Sequence, residues 1–203
     1  MDEVFDEQGL KNQQEARRAE ESRIKALLLE AFARDPEKLS LRRQELESKP
    51  LKYFSDYTTM AIEQLYEKVK HDSRAIKKED RPNAHDSFII TFPPIDSIGS
   101  VTIQVFPVEW GAGAIRIYTG AASELLMADP DSKDVDLHHG PSVVVSSGPT
   151  GGSQGDIGMK ISNSTLKDMQ EVLNGMLLVE AMADQLTPVS DSDSATLSEE
   201  TSL

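Results

Sequence analysis

The sequence predicts an α+β fold, in which an N-terminal helical region of about three helices precedes a mainly antiparallel sheet of four to five strands covered by a C-terminal helix. Three observations predict this class. Apolar residues recur at spacings of three and four up to about residue 72, and they alternate with a period of two after residue 87. Only short turns separate the first three alternating segments, which favours antiparallel pairing over parallel βαβ units. A broad apolar arc with helical spacing then returns near the end of the chain.

Three helices are expected in the first region. Residues 7–34 contain no proline and many good helix formers, so one long helix is the simplest interpretation, polar in its first half and apolar-striped in its second. Asp35 is expected to cap a second helix over 36–48, which starts on a proline. Ser55 or Asp56 is expected to cap the third helix.

The strands are recognised by alternating apolar residues that stop at proline or glycine. Residues 73–86 lose the helical period, collect charged residues and proline, and predict a linker. Four strands follow this linker at 87–92, 100–106, 114–119 and 142–146, with a candidate fifth at 158–161.

The end of the chain predicts one more helix and a tail. Ser164 or Thr165 can cap a helix that runs to about Leu186. Residues 187–203 are rich in Ser, Thr, Asp and Glu, which predicts a disordered acidic tail. The predicted organisation is therefore a helical arm at 1–72, a linker at 73–86, an α+β domain at 87–186 and a tail at 187–203.

Composition excludes several classes of site. The 203 residues include no cysteine, which excludes disulfides, thiolate zinc sites, iron–sulfur clusters and cysteine nucleophiles. There is no apolar run long enough to span a membrane, and the start of the chain is acidic where a signal peptide would be basic. We therefore expect an intracellular, cytoplasmic protein that has no membrane association.

Charge is distributed unevenly along the chain. Residues 1–81 carry a net charge of −1 and residues 82–203 carry −13. An acidic second half repels nucleic acid, and the basic clusters of the first half are interleaved with acids. This layout disfavours direct nucleic-acid binding and favours protein partners.

A glycine-rich segment at 146–156 is the first candidate ligand site. Its glycines can expose backbone amides to an anion. The segment lacks the Lys of a phosphate-binding P-loop and does not open a predicted helix, so a hairpin connection is the competing interpretation. The candidate ligand-binding residues are Gly148, Gly151, Gly152 and Gly155.

An Asp/His-rich segment at 129–139 is a weak candidate metal site. Carboxylates and imidazoles are suitable ligands for divalent cations, but the spacing departs from that of a calcium-binding EF-hand, and a solvated acidic loop is the competing interpretation. The candidate ligands are Asp129, Asp131, Asp136 and His138.

The leading functional hypothesis is a non-catalytic protein that binds protein partners, as part of a larger complex or as a homo-oligomer, and needs no cofactor. No catalytic or cofactor-binding motif is recognisable in the sequence. The expected partner-binding residues are Ile24, Leu27, Leu28, Phe32 and Trp110. The first alternative is an enzyme or small-ligand binder that uses the segments 146–156 and 129–139. The second alternative is an acidic mimic of nucleic acid that binds a basic protein.

Overall fold

The computed structural model describes residues 7–79, 86–109, 112–128, 143–147 and 166–186. These residues form five helices and one antiparallel sheet of five strands, which confirms the predicted α+β class. In chain order the elements are α1 (Glu7–Phe32), α2 (Pro36–Glu47), α3 (Leu51–Lys70), β1 (Ile76–Lys78), β2 (Ser87–Ile95), β3 (Gly99–Glu109), β4 (Ala112–Thr119), α4 (Ala121–Ala128), β5 (Val143–Ser147) and α5 (Leu166–Ala183).

The sheet is a meander, because each strand pairs with the next one along the chain in the order β1-β2-β3-β4-β5. Ile90 pairs with Ile103, Ile103 with Ile117, and Ile117 with Val143. Since alternate residues of a strand point to opposite faces, this register collects the apolar side chains of four strands on one face. That face is the floor of the core.

Two strands continue through prolines at which the sequence predicts their ends. β2 extends past Phe92 to Ile95, and β3 extends past Phe106 to Glu109. The pairing register shifts within both extensions, which contain Pro93, Pro94 and Pro107. Proline has no amide hydrogen for a regular ladder, so strands tolerate it where the pairing is already irregular.

Helices from both ends of the chain cover the apolar face of the sheet. α3 lies against β2 to β5, and α5 packs beside α3 and α1. One cluster of buried residues joins all of these elements, so the helical region and the sheet share a core. Representative fully buried members are Leu28 on α1, Leu46 on α2, Leu65 on α3, Ile103 on β3 and Met176 on α5.

The buried cluster on the opposite face of the sheet is smaller and more polar than the core. α4 packs there through Leu126, which lies against Ile89 and Tyr118. Beside this contact, the buried Gln104 Nε2 donates to Ser87 Oγ at 2.9 Å, and Tyr118 Oη donates to Gln104 Oε1 at 3.4 Å. These hydrogen bonds satisfy polar groups that the register places away from water.

Three local features differ from expectation. α3 begins at Leu51 after an extended Pro50, not at Ser55 or Asp56, because proline fixes a backbone angle suited to the residue before a helix. A short strand, β1, lies within the range 73–86 that the sequence predicts to be linker. α4 was not expected, since eight residues are too few for a helical period to stand out. The candidate strand at 158–161, the caps Ser164 and Thr165 and the tail 187–203 lie outside the described residues.

The polar half of α1 extends beyond the core. Ser22 Oγ donates to Glu171 Oε1 at 2.7 Å, and Gln185 Nε2 donates to the Phe32 carbonyl at 3.1 Å, so α1 and α5 run parallel. With the same rise per residue, α5 begins level with about residue 17 of α1. Residues 15–20 of α1 are all exposed, in agreement with a solvated extension.

Two leucines of α2 lie in opposite environments, one in the core and one at the surface. Leu46 is fully buried, whereas Leu41 is 61% exposed. We expect Leu46→Ala to lower the free energy of unfolding by about 2–5 kcal/mol because it leaves a cavity. Leu41→Ala is the matched control and should change it by no more than about 0.5 kcal/mol. Urea unfolding followed by circular dichroism measures both. Equal losses for the two variants would contradict the placement of α2.

Candidate functional site

The apolar stripe expected to bind a partner lies at the boundary of the protein's own core. Leu28 and Phe32 are buried in the core cluster, and the Phe32 ring meets the Phe92 ring edge-on with centroids 4.9 Å apart. Ile24 is partly buried against the same cluster, and Leu27 is half-buried. Partner binding through this stripe stays a prediction, and its two buried members have a structural role within the chain.

The other predicted site residues lie outside the described part of the chain. This applies to Trp110, to the four candidate glycines Gly148, Gly151, Gly152 and Gly155, and to the candidate metal ligands Asp129, Asp131, Asp136 and His138. Within the described residues, no group of three or more His, Asp or Glu side chains is placed to hold a metal ion.

The described residues form a groove between α2, α3 and the C-terminal half of α5, with a volume of about 820 Å³. We call it the helical groove. Its α3 wall runs from Tyr57 to Lys68, which corresponds to about 16 Å at the rise of an α-helix. That length matches about five residues of extended chain or three turns of helix. The residues that carry its chemistry are Arg34, Lys38, Leu39, Leu41, Arg42, Tyr57, Lys68, Glu180 and Asp184.

A polar cluster at one end of the groove fixes α2 to α3 and α5. The guanidinium of Arg42 donates to both carboxylate oxygens of Glu180 at 3.1–3.3 Å, to the Tyr57 hydroxyl oxygen at 2.7 Å and to Glu45 at 2.7 Å. The Tyr57 hydroxyl donates in turn to Glu180. Arg42 and Glu180 side chains are only 25% and 27% exposed, so the pair is partly shielded from water. One Arg therefore links residues from three helices.

The environment keeps both ionisable donors of this cluster protonated. Burial, followed by the neighbouring Glu180 carboxylate, raises the pKa of the Tyr57 phenol to about 12. The hydrogen bond to Glu180 raises the pKa of Arg42 above its usual value. At neutral pH the cluster consists of a cation, a neutral phenol and carboxylates that are already hydrogen-bonded. This arrangement suits a structural connection better than proton transfer.

Three exposed cations surround the other end of the groove, where α5 ends. Arg34 donates to Gln185 Oε1 at 2.8 Å, and Lys68 donates to the carbonyl of Ala183 at 3.3 Å. Both acceptors are neutral oxygens, so these contacts do not cancel the two positive charges. Lys38 is 75% exposed and lies 3.7 Å from Asp184. This end of the groove is therefore suited to carboxylates of a ligand.

The groove also exposes apolar surface. Leu41 is 61% exposed on α2, and Leu39 lies deeper, partly buried against the core. Beside the groove, Met60 is 44% exposed on α3, three and four residues from Tyr57 and Gln64, which line the groove. Exposed Leu and Met beside a concave surface are typical of sites that bind another polypeptide.

The sequence contains one signal for this cluster that the sequence-based interpretation did not use. Glu180 is a single carboxylate within the apolar run from Leu177 to Met182. A charge in such a position needs a partner, since burying it alone is costly. The partner is 138 residues away in sequence, and nothing in the sequence alone indicates that Arg42 fills this role.

No protein-family model, curated protein or solved structure matches this chain. Among the described residues, no helix is both long and apolar enough to cross a membrane.

The raised pKa of Tyr57 predicts a pH-dependent contribution to stability. A pKa of about 12 in the folded protein, above the ordinary value of 10, means that the contribution is complete below pH 10 and is lost as pH rises to 12. Tyr57→Phe should lower stability by about 1 kcal/mol at pH 7, because Glu180 and Arg42 retain each other.

We expect the difference in thermal stability between the wild type and Tyr57→Phe to shrink from pH 9.5 to pH 11.5. Differential scanning calorimetry measures it. Tyr53→Phe is the control, since the Tyr53 ring stacks on Tyr57 at 5.2 Å without joining the Arg42 cluster. A difference that stays constant across this range would show that Tyr57 does not titrate as the cluster requires.

Proposed function

We propose that this protein is a non-catalytic interaction protein, which binds an acidic, aliphatic segment of a protein partner in the helical groove and acts as a subunit of a larger assembly. The observation that carries the proposal is the pairing, in one groove, of exposed aliphatic side chains with cations whose contacts go to neutral oxygens. The exposed aliphatic residue is Leu41, and these cations are Arg34 and Lys68.

The aliphatic part of the proposal rests on Leu41 and Leu39 in the groove, with Met60 exposed beside it. Burying exposed Leu and Met surface against partner side chains contributes roughly 25 cal/mol per Å² of apolar area. The groove is open along α2, since Leu41 and Lys38 at its rim are mostly exposed. A helix or extended peptide can therefore enter from the side, as in other groove-binding modes of peptide recognition.

The acidic part of the proposal rests on how the groove's own carboxylates are used. Asp35 accepts the backbone amides of Glu37 and Lys38 as the cap of α2. Glu180 is held by Arg42 and Tyr57. Glu45, the third carboxylate of the groove, accepts from Arg42, and Asp184, the fourth, lies 3.7 Å from Lys38. With these four carboxylates paired, Arg34 and Lys68 are the groove cations whose contacts among the described residues go to neutral groups. Charge complementarity then favours carboxylates on the incoming segment.

Site-specific photo-cross-linking in the cells that make the protein tests this function. A photoreactive benzoylphenylalanine replaces Leu41 in the full chain, and the same residue replaces Leu125 in a matched control. Leu125 is also an exposed helical leucine, at 42%, but it lies on α4, against the opposite face of the sheet. Cross-linked segments are identified by mass spectrometry.

We expect position 41 to give discrete adducts with a segment rich in Asp or Glu and aliphatic residues, and position 125 to give none of them. Adding Arg34→Glu and Lys68→Glu should lower the yield at position 41 by roughly tenfold or more, since two attractive contacts become repulsive. Identical adducts at both positions, segments without acidic residues, or no adduct at position 41 would each refute the proposal.

A further inference from the structure

The chain contains a segment of the chemistry that the helical groove is proposed to bind. Residues 187–203 carry four carboxylates and no Lys or Arg, so their net charge is −4. Aliphatic residues are spaced among these acids at Val189, Leu197 and Leu203. Acidic and aliphatic side chains therefore alternate along this segment, as expected for a ligand of the groove.

This segment starts at the cationic end of the groove. Ala183 and Asp184 at the end of α5 line the groove, and the structure describes the chain as far as Leu186. Lys68 contacts the Ala183 carbonyl, and Lys38 lies beside Asp184. The first residues after Leu186 therefore follow directly from the place where three exposed cations meet.

The segment is also long enough to run along the groove. Leu197 is the eleventh residue after Leu186, which gives a reach of up to about 36 Å. The groove is about 16 Å long. Leu197 can therefore reach Leu41 at the far rim even if the intervening chain is not fully extended.

Because the segment is covalently attached to the groove, weak contacts are sufficient for it to occupy the groove for much of the time. A short flexible tether holds a ligand at an effective concentration on the order of 1 mM. A segment with a dissociation constant of about 1 mM would then occupy the groove about half of the time. A second copy of the protein at micromolar concentration has no comparable advantage.

We propose that residues 187–203 dock in the helical groove of their own chain and compete there with the partner segment. The docking itself needs only the groove and the tail, while the competition rests on the proposed function. The acids of the tail then contact Arg34, Lys38 and Lys68, and the tail acts as an intramolecular regulator of the groove.

Paramagnetic relaxation in the purified full chain tests the docking. The chain has no cysteine, so Ser194→Cys creates a unique attachment point for a nitroxide spin label. Methyl signals of Leu and Met are observed by NMR. We expect selective broadening of Leu41 in the groove and of Met60 beside it, but not of Leu125 on α4, and we expect 0.5 M NaCl to weaken this broadening.

A charge-reversal pair provides the matched comparison. Arg34→Glu with Lys68→Glu should abolish the broadening at Leu41, while Lys11→Glu with Arg18→Glu should leave it unchanged. Lys11 and Arg18 are exposed on the polar half of α1, so both double variants make the same change in net charge. An unchanged chemical shift of the buried Leu46, recorded after the nitroxide is reduced, shows that each variant is folded.

Three results would overturn the docking. These results are the absence of broadening from the groove, its persistence after charge reversal in the groove, and broadening spread evenly over the surface. A mixture of spin-labelled and isotope-labelled chains distinguishes a tail that docks on its own chain from a tail that docks on a second copy. Broadening in that mixture would assign the contact to a second copy and reject the intramolecular form.

The competition has its own test in the cross-linking experiment. Neutralising the tail in the full chain with Asp191→Asn, Asp193→Asn, Glu199→Gln and Glu200→Gln should raise the partner yield at position 41 about twofold, as expected for a groove that is half occupied. An unchanged yield would reject competition. Groove broadening without any partner adduct would support tail docking and refute the proposed function. Partner adducts without groove broadening would support the proposed function and refute tail docking.

Discussion

Coverage of the sheet's apolar face by α3 is the constraint on which the other elements depend. The residues on this face come from four strands, and they must be removed from water for the sheet to be stable. α3 contributes Ile62, Leu65 and Val69, all fully buried, and it lies against β2, β3, β4 and β5. α1 and α5 then pack parallel to each other beside α3. The N-terminal helices are consequently part of the core rather than an appendage, and only the first half of α1 extends past it.

The helical groove follows from the composition of α2. Leu46 is the fully buried residue of this helix, and most of its other residues are polar or charged. α2 is therefore held by one fully buried apolar residue, by the partly buried Leu39, and by hydrogen bonds from Arg42 and Arg43, the latter reaching Asn174 at 2.8 Å. Polar contacts of this kind specify orientation more than they add net stability, because removing charges from water offsets most of the attraction. With so few apolar side chains, α2 does not fill the space beside α3 and α5, and this space is the groove.

Much of the fold was predictable, because helix and strand periods are local properties of the sequence. The switch of period near residue 87 and the apolar arc of α5 predicted the sheet and its last helix. Features that depend on pairing between strands were not predictable. By local rules Pro93 and Pro107 end strands, yet both strands continue because the pairing register is irregular at these prolines. The groove was missed for the same reason. Arg42 and Glu180 belong to helices that are 138 residues apart in sequence and meet only in the folded chain, and local patterns carry no information about that contact.

The charge of the whole chain acts against the attraction that we propose at the groove. A protein with a net charge of −14 repels an acidic partner at distances up to the Debye length, about 10 Å at 0.1 M salt. Contact with Arg34 and Lys68 becomes favourable only at shorter range. Added salt should therefore speed the approach of a separate acidic segment while weakening its final contacts. A tethered segment is already close to the groove, so the net charge of the protein does not slow its approach. Added salt then acts only by weakening its contacts with the groove. The acidic composition of the second half of the chain thus favours an intramolecular ligand over a free one of equal affinity.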